Sequence, residues 1–163
     1  MHLICGTACG AGAALLGKFN IAECIALTAL SGLFSIVPDI DLPESKLGHL
    51  IKPVSKFINK SFGHRTFTHS GLWLIPFGFL IYYFRNTAYL SLFIGMFIGL
   101  FSHLISDTLT KGGVPWFWPF KRKRYTFSVI KSGKFDYFPC IFTTIITLFL
   151  CFFAFKFTLF LRF

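Results

Sequence analysis

Acidic residues are scarce in this chain. Asp and Glu together number six in 163 residues, and all charged residues make up 13%, against about 25% in an average soluble domain. With 55% hydrophobic residues, 24 Phe and a mean hydropathy of +0.69, the composition excludes an ordinary soluble surface and reads as one integral membrane domain, residues 1–163. A disulfide framework is excluded too. The five cysteines, Cys5, Cys9, Cys24, Cys140 and Cys151, are odd in number, lie in apolar stretches and form no CxxC pair of the zinc-knuckle kind. Cys5 and Cys9, one helical turn apart near His2, suit a soft metal less well than small-residue packing. Internal repeats and nucleic-acid recognition motifs are missing, as is a basic stripe on a soluble module. The formal charge of +10 therefore points to the lipid bilayer and its anionic headgroups as partners, not to nucleic acid.

The apolar segments predict an all-α, polytopic helical bundle of about five spans. Residues 3–16, rich in Gly, Ala and Cys, form a short first span suited to close helix packing. No cationic region precedes it, so it is expected to be retained and not cleaved as a signal peptide. Residues 21–37 form the second span, which Pro38 ends. Between residues 42 and 63 the four-residue spacing of Lys52, Lys56 and Lys60 among apolar residues predicts an interfacial amphipathic helix, with Pro53 starting or breaking it. Residues 67–84 and 88–109 are the third and fourth spans, and residues 137–161 a Phe-rich fifth.

What acidity there is gathers in three short motifs at segment ends: PDIDLPES (38–45), HRTFTHS (64–70) and SHLISD (102–107). Carboxylates and imidazoles are costly in a membrane unless they pair, meet water or bind an ion, so this gathering predicts a site. His103 and Asp107, at i and i+4, share a helix face about 6 Å apart. Asp39 and Asp41 flank Ile40, and in an extended stretch both would leave one side of the chain; a helix-capping turn is the plainer alternative. His64 would precede the third span and His69 and Ser70 would lie in its first two turns, with Thr66 or Thr68 as its cap. Arg65 and that helix start would favour an anion such as a phosphate oxygen.

Threading five spans puts His2 and the 38–65 and 110–136 connections on one side, and the 18–20 and 85–87 turns on the other. Twelve Lys and Arg then fall on the motif side, against Lys18, Arg85, Lys156 and Arg162 elsewhere. The positive-inside rule makes the motif face cytoplasmic. The run Lys121, Arg122, Lys123, Arg124 is read chiefly as part of this topology signal, and Trp116, Trp118 and Phe120 as interfacial anchors.

Together Asp39, Asp41, His64, His69, His103 and Asp107, with His2 as a further candidate, make a mixed donor set suited to zinc or manganese. Such an ion activates water and polarises phosphoryl oxygens, so hydrolysis of a phosphoester is the expected chemistry. Arg65 would steady the developing charge, and Asp41 or Glu44 would act as base if not a ligand. The rival expectation is a non-enzymatic membrane protein whose His/Asp site binds metal for structure or handles ions or protons.

The ordered motifs, an N-terminal His, PDIDxPxS, GHRxxTHS and SHxxxDxxTxxGVPxxWP, resemble the YdjM family of predicted membrane-bound metal-dependent hydrolases, over most of the chain to about residue 120. The resemblance implies a bacterial or phage inner-membrane protein, LexA-regulated in some relatives. It also implies a distant similarity to the phospholipase C and P1 nuclease group of zinc phosphoesterases. Carried onto this sequence, it makes Asp39, Asp41, His64, His69, His103 and Asp107 metal ligands, with His2 a further one.

Overall fold

The computed structural model describes residues 1–127 together with Ile141 and Ile145. Apart from Ile141 and Ile145, the expected fifth span lies outside the described residues. Within them the chain is helical: α1 (His2–Leu16), α2 (Ile21–Phe34), α3 (Lys46–Leu50), α4 (Lys52–Phe62), α5 (Leu74–Tyr83) and α6 (Leu90–Thr108), with 3₁₀ turns at Pro38–Asp41 and Gly71–Trp73.

Local chemistry sets several boundaries. Asn20 starts α2 through a reciprocal capping box: its side chain accepts from the Glu23 N–H, and the Glu23 carboxylate accepts from the Asn20 N–H, both at 2.9 Å. Glu23 thus stabilises a helix end, by about 1 kcal/mol. The predicted interfacial helix is two helices. Ser45 caps α3 by accepting from the Gly48 N–H, Pro53 occupies the first turn of α4, where its missing N–H costs nothing, and Gly63 ends α4 at φ 80°.

Two helical paths are long and apolar enough to cross a membrane, Ile21–Asp41 and Leu90–Thr108; His2–Leu16 and Gly71–Tyr83 are shorter. At 1.5 Å per residue the first two extend about 30 Å, the thickness of a hydrocarbon core. Pro38 does not stop the second span where the sequence suggested. It opens the 3₁₀ turn that carries the helical path on to Asp41.

Burial runs opposite to that of a water-soluble fold. Ile21, Leu15, Ile75 and Phe79 are exposed, whereas Ser31, Ser35, Ser102, Ser106, His103 and Asp107 are buried. Hydrocarbon outside and small polar residues between helices is the pattern of packing in lipid. α1, α2 and α6 pack against one another, and α5 against α6. Their seams are lined by Gly and Ser at four-residue spacing. A β-carbon on Gly95 would lie 2.5 Å from the Leu27 carbonyl oxygen, and one on Gly99 2.4 Å from that of Ser31, so only glycine permits this approach. Ser31 donates to the Gly6 carbonyl at 2.7 Å and Ser35 to the His2 carbonyl at 2.8 Å. The close seams bring the start of α1, the end of α2 and the end of α6 to one place.

Candidate metal centre

Four of the predicted side chains converge there. His69 Nε2 and His103 Nε2 are 3.1 Å apart. Asp107 Oδ2 lies 3.4 Å from the first and 3.8 Å from the second, and Asp39 Oδ1 lies 3.8 and 3.9 Å from them. Donor atoms at about 2.0–2.1 Å around a tetrahedral ion are roughly 3.3 Å apart, so these separations are of the size such an ion imposes. His2 stands beside the group. Its ring packs on that of His103 at 4.0 Å between centroids, its Nε2 is 3.7 Å from Asp107 Oδ1, and its buried Nδ1 has no hydrogen-bond partner. Two donor sets follow, His69–His103–Asp107 and His2–Asp39–His103, and both use His103.

The hydrogen-bond network assigns the histidine tautomers. His103 Nδ1 is 2.7 Å from the Ser35 carbonyl oxygen, which only accepts, so Nδ1 carries the proton. Thr68 gives its hydroxyl hydrogen to Asp41 Oδ2 at 2.7 Å and therefore accepts from His69 Nδ1 at 3.0 Å. Neutral rings held in this way would face each other with bare Nε2 lone pairs across 3.1 Å. That arrangement is repulsive without a cation between them, and ligand histidines are commonly fixed in this way by bonds from their other nitrogen. The donor chemistry and the orphaned His2 nitrogen fit a divalent ion.

Asp41 plays a different part from Asp39. In the 3₁₀ turn, residues two apart point about 240° apart around the axis, so the two carboxylates diverge where an extended stretch would have aligned them. Both Asp41 oxygens are engaged: Oδ1 with His64 Nδ1 at 2.9 Å, Oδ2 with the Arg65 N–H at 2.9 Å and the Thr68 hydroxyl. Asn59 donates to its backbone carbonyl. Asp41 and His64 stand outside both donor sets; Asp41 orients His64 and, through Thr68, His69.

The HRTFTHS segment is not helical where the sequence suggested. His69 and Ser70 precede the 3₁₀ turn at Gly71, and α5 begins only at Leu74. Hydroxyls hold the segment in turns instead: Thr66 donates to the Phe62 and Gly63 carbonyls and Ser70 to that of Phe67, a local competition with helix. Neither Thr66 nor Thr68 caps the helix. Arg65 takes a left-handed backbone, φ 56°, uncommon for a residue with a side chain. That conformation turns its N–H to Asp41 while its guanidinium reaches Asp107, with Nη2 3.2 Å from Oδ1 and Nε 3.2 Å from Oδ2, and Thr110 at 3.3 Å. Arg65 is thus held by Asp107.

Exposure is uneven. His69, His103 and Asp107 are almost wholly buried, whereas the side chains of His2 and Asp39 keep 23% and 26% of their surface. Glu44 is exposed, and among the described residues no hydrogen bond or ion pair joins it to the cluster. Cys5 and Cys9 belong to neither donor set; the Cys5 thiol is 3.6 Å from the Ser106 hydroxyl. Sequence reasoning missed Ser35. It bonds His2 and His103 through a hydroxyl and a carbonyl, and its only trace in the sequence is the Ser31/Ser35 spacing along one face of α2.

Comparison with known proteins places this geometry in context. A family model described as YdjM inner membrane protein matches residues 1–162. Inner membrane protein YdjM of Escherichia coli K12 and its Shigella flexneri counterpart are each 37% identical over 122 residues, 67% of this chain and 58% of theirs. The chain therefore spans under two thirds of those relatives. The uncharacterized protein YvsG of Bacillus subtilis 168 is 29% identical over 138 residues, 83% of this chain and 81% of its own. No solved structure matches.

Proposed function

We propose, for a chain that belongs to the YdjM inner membrane protein family, that the cluster binds a divalent cation, zinc or manganese, and hydrolyses phosphoesters, lipid headgroups among them. The observation that carries this reading is the pair of imidazole Nε2 atoms 3.1 Å apart, with Asp39 and Asp107 beside them. Asp39, His69, His103 and Asp107 would hold the ion, with His2 as a further donor. When bound, such an ion polarises a phosphoryl oxygen and makes water a nucleophile near neutral pH.

The protein's own residues supply the rest. Ser35 fixes the His103 ring and the Thr68–Asp41 pair fixes that of His69. Arg65, held by Asp107, would supply a fixed positive charge beside the donor cluster, of the kind that steadies negative charge developing on a phosphoryl group. Burial of His69, His103 and Asp107 excludes water from one side, and the exposure of His2 and Asp39 leaves the other side accessible. Structural sites are closed, whereas catalytic sites keep an open position, so this asymmetry favours hydrolysis over a purely structural ion. The excess of Lys and Arg around the motifs supports a cytoplasmic orientation of a multi-pass chain.

The test is phosphate or headgroup release from phospholipid vesicles and from p-nitrophenyl phosphate, by protein stripped with chelator and reloaded with zinc or manganese. Activity restored by metal in the wild type and lost in Asp39→Asn and His69→Ala is expected. A stoichiometric ion with no hydrolysis of either substrate would leave the structural reading in its place.

A further inference from the structure

Beside the cluster lies a polar cavity of about 400 Å³, whose lining includes Arg122, Arg124, Ser61, Thr66 and the rings of Phe62 and Trp118. Arg122 and Arg124 are exposed, but the segment that carries them is tied down. Val114 and Tyr125 exchange backbone hydrogen bonds at 3.0 and 2.9 Å, and the Phe127 N–H bonds the Thr108 carbonyl, tying this segment to the end of α6. Alternate residues of extended backbone leave opposite sides. Arg122 and Arg124 line the cavity accordingly, while the Lys123 ammonium lies over the Tyr125 ring, 5.7 Å from its centroid.

Among the described residues the cavity's charge is uncompensated: none of those lining it is acidic, and neither guanidinium has a carboxylate partner. Arg124 Nη2 donates at 3.3 Å to the His64 carbonyl, a neutral acceptor. Guanidinium groups present planar paired donors that match phosphate oxygens. The cavity adjoins the segment that supports the cluster, because Thr66 in its lining follows Arg65, which pairs with Asp107, and Arg124 bonds the carbonyl of His64, whose ring bonds Asp41.

We propose that this cavity binds a phosphate-ester anion through Arg122 and Arg124, from a lipid headgroup or a soluble phosphate ester. That it serves the neighbouring cluster rests on the hydrolase reading; the binding itself does not. The size is within reach of a headgroup, since ligand cavities run from about 300 Å³ upward.

Calorimetric titration of the full chain in neutral detergent with inorganic phosphate tests it. Replacing both charge-assisted donors, as in R122Q/R124Q, is expected to weaken phosphate binding about tenfold or more, while K121Q/K123Q, with the same change in net charge, changes it less than about twofold. Asp39→Asn is expected to keep phosphate binding. Equal losses in the two double variants would reduce the effect to surface charge, and loss in Asp39→Asn with retention in R122Q/R124Q would place phosphate at the metal cluster; either overturns the proposal. A second reading needs no variant: phosphate should protect Arg122 and Arg124 of the wild type from phenylglyoxal, read by mass spectrometry. Protection by phosphatidate in phosphatidylcholine nanodiscs would identify a lipid headgroup, and protection by glycerol phosphate alone a soluble ester. Protection by neither would end the proposal, even if metal-dependent hydrolysis were found.

Discussion

Gly99→Ala should damage the metal centre without touching it. The added β-carbon would lie 2.4 Å from the Ser31 carbonyl oxygen, 2.9 Å from Phe34 Cβ and 3.0 Å from the Ser35 nitrogen, whereas ordinary contact begins at 3.4 Å. Two of these three neighbours are backbone atoms, so relief requires α2 and α6 to part by about 1 Å, the difference between 2.4 and 3.4 Å. One turn further along α6, His103 reaches back to the Ser35 carbonyl at 2.7 Å. The same parting would lengthen that bond to about 3.7 Å, beyond hydrogen-bond range. Overpacking costs about 1–3 kcal/mol, of which the better helix propensity of Ala returns up to about 1 kcal/mol. Loss of a bond that orients a ligand typically lowers metal affinity about 10–100-fold. The assay is metal affinity by competition with a chromophoric chelator, alongside the thermal unfolding midpoint in detergent. Gly78→Ala is the control, because a β-carbon there meets nothing within 4 Å. If Gly99→Ala bound metal like the wild type, or Gly78→Ala were equally damaging, the coupling of helix seam to site would be wrong.

Other outcomes follow from the same geometry. Asp41→Asn should keep the metal at about 10–100-fold lower affinity, while Asp39→Asn and Asp107→Asn lose it; equal loss in all three, read by metal analysis, would make Asp41 a ligand. Thr68→Val removes the hydroxyl between Asp41 and His69 and should cost about 1–3 kcal/mol by leaving buried partners unsatisfied, measured as a lower unfolding midpoint. Arg65→Lys keeps a positive charge but not the planar fork, so turnover should fall with metal content unchanged; a parallel drop in metal content would make Arg65 part of the scaffold instead.

Much of the helical frame was legible. Long apolar stretches bounded α2 and α6 to within a few residues, and the i, i+4 pair His103 and Asp107 told that one helix end carries two donors. Pro38 misled, because proline suits the first turn of a new helical segment as well as the end of an old one. That reading left the divergence of Asp39 and Asp41 hidden. His69 was drawn into α5 by its apolar neighbours, since hydropathy does not see that hydroxyls of Thr66 and Ser70 close turns on nearby carbonyls. Ser35 was invisible for a simpler reason: it bonds His103 through a backbone carbonyl, a group every residue carries.

The central claim is that His69, His103, Asp39 and Asp107 gather around a cation. Metal content of the purified full chain, by mass spectrometry, in the wild type beside His69→Ala and Asp107→Ala, tests it most directly. The account predicts about one divalent ion per chain in the wild type and little in either variant. The same trace amount in all three would contradict it.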